Sequence, residues 1–440
     1  MRAISLLLLT GVAFAEPAVP EAKPKPTSSP IPIEKLNGEL PHWMKFSFDE
    51  RLRLEGFSGN GFKPDSSDTY LLQRLRVNID VLPASWMKFR FQMQDARVFW
   101  KSLRPYAPPF ENTYDLRLAY IEIGDTEKRP VTLRVGRQEL SFGEERLLGN
   151  ANWGNAARSF EAIRATLRKG KYRVDAFASS VVVLHDGEIG DHQPGSNLHG
   201  LYGTMDNVFP SSTIEPYLLW RLNPRQKPEI GVTANLDSKT VGVRWIGKLP
   251  AHFDYNVEMA WQAGSLGTDS VNAWAGHWLT GYTAETWKWA PHFLAEYNFA
   301  TGDGNAKDGK RNTFDQLYAV NHDKFGLVDQ AGWRNIHDAR TGIEFKITQK
   351  LSCSPKYSMF WLADSHDYFY ANNGSTVAHS ADGSAGRWVG QELDVLAAYK
   401  LNKQVQVGGG YGHLFPGTFL KKTTPGKGYN LPYLMLSLSL

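Results

Sequence analysis

Short segments in which apolar and polar side chains strictly alternate, recurring along the chain with no long apolar block between them, limit this sequence more than any other feature. In 74–81, Leu75, Val77, Ile79 and Val81 alternate with Arg74, Arg76, Asn78 and Asp80. In 87–94, Met87, Phe89, Phe91 and Met93 alternate with Lys88, Arg90, Gln92 and Gln94. Late in the chain Phe253, Tyr255, Val257, Met259 and Trp261 stand against Asp254, Asn256, Glu258, Ala260 and Gln262. A period of two is the signature of a β-strand. In a soluble sandwich the apolar face turns into a core; in a membrane barrel it meets lipid and the polar face lines a lumen. Alternation alone does not separate the two.

Three further observations do. The chain opens MRAISLLLLTGVAFA, with a basic start at Arg2, an apolar run from Ile4 to Phe14, and Ala13 and Ala15 in an A-x-A arrangement before Glu16. That is the form of a secretory signal peptide over 1–15, too short for a spanning helix, which needs about 20 apolar residues. Its removal takes one Arg and no acid, so the net charge of +4 becomes 4 − 1 = +3. No later stretch is long and apolar enough for a helical span, mean hydropathy is −0.38, and yet aromatics make up 12%. Apolar surface spread one residue at a time, with abundant aromatics, is how a transmembrane barrel reads. The one cysteine, Cys353, excludes an intramolecular disulfide, so packing and backbone pairing must hold the fold.

The chain divides into the signal 1–15, a Pro-rich periplasmic leader 16–43 without periodicity, and a barrel 44–440. Alternating segments begin at 45–55, 74–81 and 87–94. They continue at 115–124, 130–138, 158–168, 171–183, 197–206, 212–222, 239–248, 252–264, 272–283, 290–301, 339–349, 351–364, 389–400, 404–416 and 430–440. The expected fold is therefore all-β, a transmembrane antiparallel β-barrel of about 18 strands. Short connections (82–86, 169–170, 249–251, 401–403) take turns with long ones (97–114, 139–157, 184–196, 302–338, 365–388). This is the pattern of short periplasmic turns and long extracellular loops, and it implies the bacterial outer membrane.

If apolar residues face lipid, their alternates line the lumen. The cationic set on that face is Arg51, Arg53, Arg74, Arg76, Lys88, Arg90, Arg117, Arg134, Arg164 and Arg173, with Arg244 later. Rings of charge set selectivity in pores, and guanidinium forks match carboxylates through two hydrogen bonds. The set either forms a path for anionic solutes or pairs with Asp49, Glu55, Asp80, Asp175, Asp254, Glu258, Glu344, Glu392 and Asp394 to brace the wall. GDGNAKDG at 302–309 is suggestive of a Ca²⁺ loop, but its spacing does not match the twelve-residue pattern and it reads as turn-rich loop. No nucleophile elbow, HExxH or phosphate-cradling loop occurs, so no enzyme, metal site or cofactor is expected.

The run LRVGRQELSFGEERLLG at 133–149, with WGNAARSFEAIR at 153–164, resembles the alginate export family of outer-membrane proteins. So do LAEYNFATGDG at 294–304 and FDQLYAVNHDKFGLVDQAGWRNI at 314–336. The resemblance implies a monomeric 18-stranded barrel whose cationic constriction passes an acidic polysaccharide, polymannuronate or alginate, by diffusion. Its matching basic residues here are Arg134, Arg137, Arg158 and Arg164, although alternation from Arg134 turns Arg137 outward. The expected partners are an acidic polysaccharide or anionic solute, outer-membrane lipid and lipopolysaccharide, and a periplasmic export partner, with no nucleic acid. Two other readings stay open: a general porin that takes up carboxylates or sugars, and an adhesive surface barrel with a closed lumen.

Overall fold

The computed structural model describes residues 32–125, 129–228 and 232–440. The signal 1–15 and most of the leader lie outside them. The alternating segments form strands β1 (Met44–Ser58), β2 (Ser67–Ala84), β3 (Met87–Phe99), β4 (Asn112–Ile123), β5 (Val131–Gln138) and β6 (Phe160–Lys169). They continue as β7 (Tyr172–Val183), β8 (Asp191–Asp206), β9 (Ser212–Gln226), β10 (Ala234–Leu249), β11 (Phe253–Leu266) and β12 (Asp269–Thr283). The last six are β13 (His292–Ala300), β14 (Ile336–Lys346), β15 (Leu351–Trp361), β16 (Trp388–Lys400), β17 (Val405–Pro416) and β18 (Tyr429–Ser439).

Each strand pairs antiparallel with its neighbour in the chain, and β18 returns to β1, with Ser439 opposite Asp49 and Leu434 opposite Leu54. The result is a closed 18-strand barrel. Closure leaves no unpaired edge, which is the condition for a sheet to sit in lipid. Leu54, Phe91, Met93, Leu133, Val135, Ile163, Val241, Val243, Met259, Leu393, Val395, Leu434 and Leu436 are exposed on the outer face. Trp220, Trp245, Trp261, Trp274, Tyr297 and Tyr399 add aromatic surface to it. No described helix is long and apolar enough to cross a membrane.

The ends of the barrel differ. At one end the connections are mostly tight turns; at the other lie the long segments 100–111, 139–159, 301–335, 362–387 and 417–428. The alternation of lengths is not strict. Residues 267–268 make a bare turn at the long-loop end, and β8 begins at Asp191, so the loop after β7 is only 184–190. Within the stretch read as leader, α1 (Pro32–Glu39) forms a short helix. Its Asn37 amide donates to the Phe46 carbonyl and accepts from the Phe46 N–H, both at 2.8 Å, pinning the helix to the start of β1.

The long loops fold inward rather than standing off the rim. Tyr318 and Leu148 pair in a parallel bridge, with Gly149 N–H donating to the Tyr318 carbonyl (3.1 Å) and Tyr318 N–H to the Leu147 carbonyl (2.9 Å). Phe314, Phe325, Trp333, Phe360 and Phe419 are fully buried in one continuous cluster with Leu147, Leu148 and Phe160. The apolar core of this protein thus sits inside the barrel at its long-loop end, built from loops packed on the wall.

Candidate functional site

Inward-facing side chains fall into two tiers. In the upper one, toward the long loops, the tip of loop 139–159 lies against β1 and β2. Arg51 donates to the carbonyls of Asn152 (2.8 Å), Trp153 (3.2 Å) and Gly154 (3.2 Å). Arg53 donates to the Trp153 carbonyl (2.8 Å), pairs with Glu55 (2.9 Å), and stacks its guanidinium over the Trp153 ring at 3.7 Å. Arg74 donates to the Asn152 carbonyl (3.0 Å), and Arg76 to the Gln94 side chain (2.8 Å). Asn155 binds the carbonyls of Gln73, Arg97 and Phe110 at 2.9–3.0 Å. The arginines therefore hold a loop whose backbone has no strand to pair with, as buried carbonyls require.

The same loop crosses the lumen. Arg146 reaches Glu296 (2.9 Å) on β13 and its own Glu144 (3.2 Å), while Glu144 faces Arg244 (3.6 Å) on β10. Arg244 also pairs with Glu215 on β9 at 2.8 Å. Arg117 on β4 pairs with Glu139 at the loop's base. Burial alone would raise Glu139 and Glu144; Arg117 for the first, Arg146 and Arg244 for the second, outweigh it and keep both carboxylates below their ordinary range. Arg158 donates to the Gly149 carbonyl (3.0 Å) and sits over Tyr318 at 5.5 Å, so it fastens the loop instead of lining a path.

Loop 301–335 covers the opposite wall. Asp323 binds Lys356 (2.6 Å) and Arg340 (3.1 Å), which offset the effect of burial and hold its carboxyl below the usual aspartate range. The N–H groups of Val328 and Leu327 donate to Glu392 (2.9 Å) and Asp394 (3.2 Å) on β16. Gly326 takes a φ of +86°, and a Cβ there would come within 2.4 Å of the Glu392 carboxylate, so only glycine lets the loop lie this close. The two loop tips meet where His322 stacks on Trp153, 3.7 Å between ring centroids and 8° from parallel. Asp303 in the glycine-rich stretch accepts from the N–H groups of Asn305 (2.8 Å) and Asn312 (2.7 Å), as in a turn-rich loop.

The lower tier lies toward the short turns, and loop 139–159 reaches it at Arg164, whose guanidinium stands 4.9 Å from the Phe142 ring. Lys88 and Arg90 share Asp80 at 3.3 and 3.1 Å. Arg164 and Arg173 share Asp175 at 2.9 and 2.7 Å. Arg134 donates to Glu122 (2.8 Å through Nε) and stands over the Tyr120 ring at 4.6 Å. All five are half-buried, with side chains 11–30% exposed, whereas Arg51, Arg53, Arg74, Arg76, Arg117 and Arg244 are buried. Arg137 lies on the other face of β5 from Arg134, as alternation predicts, bound to Glu161 (2.7 Å) and the Gly190 carbonyl (2.6 Å). Between Arg134 and Gln138, Gly136 has φ +117° and passes β4 so closely that a Cβ would fall 2.3 Å from the Ala119 carbonyl oxygen.

The sequence profile of alginate export proteins matches residues 42–433. The chain belongs to the alginate export family. Its fold is also that of solved outer-membrane channels. With Pseudomonas aeruginosa OccD3 (OpdP) it shares 13% identity over 90% of this chain and 91% of that one, TM-score 0.58. For Acinetobacter baumannii OccAB4 the figures are 12%, 90% and 98%, TM-score 0.59. For P. aeruginosa OpdK, solved with vanillate, they are 10%, 90% and 98%, TM-score 0.58. No curated protein sequence matches it. The alginate export chain is thus a porin-like barrel of the bacterial outer membrane, with the family and fold of a transport channel rather than of an enzyme. The tight turns face the periplasm and the long loops the outside.

The sequence identified the inward arginines but not what most of them do. Glu122, Glu139, Glu144 and Glu215, which take Arg134, Arg117 and Arg244, were not among the expected acidic partners. Two of these acids lie on a loop, whose position no periodicity encodes.

Proposed function

We propose that this protein is an outer-membrane channel that passes an acidic polysaccharide of the polyuronate kind, or related anions, along a cationic wall. The observation that carries this reading is the lower tier. Five half-buried cations on β3, β5, β6 and β7 (Lys88, Arg90, Arg134, Arg164, Arg173) pair with three carboxylates, Asp80, Glu122 and Asp175. Two of those acids are each shared by two cations. A solute carboxylate can therefore replace a shared partner without leaving the wall uncompensated, and hand on to the next guanidinium. Several weak, exchangeable sites in a row allow passage where one tight site would stop it. Bidentate geometry selects carboxylate over chloride-sized anions.

A second reading, uptake of small carboxylates, is favoured by the upper tier. Loops 139–159 and 301–335 fill that half of the lumen, and a polymer would have to displace them. OpdK, a structural neighbour, was solved with vanillate. Planar-bilayer current through the purified protein separates the two. Block by polymannuronate, with neutral glucan and vanillate without effect, supports polymer passage. Block by vanillate alone supports small-carboxylate uptake. Indifference to all three overturns both.

A further inference from the structure

One stretch of the inner wall is paved with aromatic rings. Phe177 on β7, Tyr202 on β8 and Tyr217 on β9 point into the barrel and are buried there. Tyr202 and Tyr217 lie opposite one another in register and stack, with 5.6 Å between ring centroids and 5° between planes. Glycines make room for rings to lie along the wall: a Cβ on Gly200 of β8 would overlap the Phe177 ring, and one on Gly242 of β10 the Tyr217 ring. Both hydroxyls are anchored, Tyr202 donating to Glu215 and Tyr217 to Glu258, each at 2.9 Å. The strands themselves therefore hold the rings in place.

What covers them is Phe142, carried by loop 139–159. Its ring lies 4.6 Å from Tyr202 and 5.4 Å from Phe177, at 27° and 16° between planes. The cavity left beside it is only about 10 Å³, so a ligand must take the place of Phe142 and not a space next to it. The Arg164 guanidinium stands 4.9 Å from the same ring, and Arg164 lies opposite Phe177 in register. A flat six-membered ring thus already sits in a slot with aromatic faces against it and a lower-tier cation beside it. Aromatic faces attract C–H edges, and a guanidinium takes a carboxylate. A hexuronate residue offers both, an apolar ring face and a carboxylate on its rim. A polymer that displaces loop 139–159 removes Phe142 and uncovers these groups together.

We propose, resting on the polyuronate reading above, that Phe142 stands in for substrate, and that the slot it fills is a subsite for one hexuronate residue. The sugar ring lies on Tyr202 and Phe177. Its carboxylate takes Arg164, and Asp175 keeps Arg173 as its partner. Phe142 occupies the slot while no polymer is present and competes with each residue that enters.

The test is the block of single-channel current by mannuronate oligomers in the purified full-length protein, beside Phe142→Ala and Tyr202→Leu. The two changes are expected to act in opposite directions. Phe142→Ala removes the competitor and should lower the half-blocking concentration severalfold. Tyr202→Leu removes a stacking face and should shorten each block about two- to tenfold. Rings that merely pack the loop would move both variants the same way, and that result overturns the proposal, as does a block that neither variant alters. Should Tyr202→Leu fail to assemble, Phe177→Leu is read in its place with the same expectation, and Phe142→Ala, a change on the loop, carries the test beside it. Oligomer block of the wild type that the variants leave unchanged overturns the subsite alone. A wild type that the oligomer does not block, whether or not vanillate blocks it, overturns the subsite together with the polyuronate reading.

Discussion

The two tiers of inward arginine differ in what they bind. Arg51, Arg53 and Arg74, above, are buried and point their donors at the backbone of residues 152–154. Arg90, Arg134, Arg164 and Arg173, below, are half-buried against carboxylates of the wall. Residue type and strand parity are the same in both. What differs is the partner: the upper set donates to loop backbone, while the lower set pairs with carboxylates of the wall and meets loop 139–159 through the Phe142 ring at Arg164. A guanidinium whose donors are fixed on carbonyls is a structural clamp; one that shares a carboxylate with a neighbour is free to exchange partners. The same alternation thus writes a hinge-holder in one half of the barrel and a solute surface in the other.

The largest effect expected from breaking this contrast comes from Arg51→Ala with Arg53→Ala. The carbonyls of Trp153 and Gly154 lose their arginine donors, at about 1–3 kcal/mol for each buried group left unmade, and that of Asn152 keeps Arg74 alone. Loop 139–159 should then become cleavable by added protease and single-channel conductance should rise severalfold; an intact loop and unchanged conductance would mean that the clamp lies elsewhere. Next in size is Arg90→Gln with Arg134→Gln and Arg164→Gln. Conductance should change little while the preference for anions falls, read as a shift of reversal potential toward zero. A rise in conductance instead would place these residues in the clamp class.

Trp153→Ala should be milder, since a stacked ring pair contributes ~0.5–1.5 kcal/mol beyond its buried area. The His322 contact is lost while the Arg51 bonds to the backbone remain, so open-state noise should grow without cleavage of the loop. The smallest effect is that of acid. Asp323 is held below the ordinary aspartate range by Lys356 and Arg340. Its share in holding loop 301–335 is complete above about pH 4, where a free aspartate is ionised, and drains away as pH falls through its lowered value. Conductance in a pH series should therefore be flat from neutrality to about pH 4 and climb below it; a climb already at pH 6 would assign the hold to another group.

Much of this fold is legible because each strand repeats one rule. Leu75 to Val81 alternate cleanly, and the same register carries through β3 and β11, so each of the 18 strands overlaps the segment that period two marks, although β8 and β10 begin earlier, at Asp191 and Ala234. The loops have no such rule. Nothing in LLGNANWGNA predicts that Asn152 and Trp153 cross to β1, because that placement depends on contacts with residues about a hundred positions away. Hence the cationic face is readable while its division into clamp and path is not. The Asp175 pairing with Arg164 and Arg173 was within reach, since Asp175 shares the inward parity of Arg173. Glu144 was not, since its approach to Arg244 comes from a loop.

The central claim, that the lower tier is a cationic solute surface, is tested most directly by the reversal potential of the purified protein in a planar bilayer under a KCl gradient. Wild type is predicted to be chloride-selective, and to lose that selectivity when Lys88, Arg90, Arg134, Arg164 and Arg173 are all changed to Gln at unchanged barrel assembly. A cation-selective wild type, or chloride selectivity that survives all five changes, would contradict it.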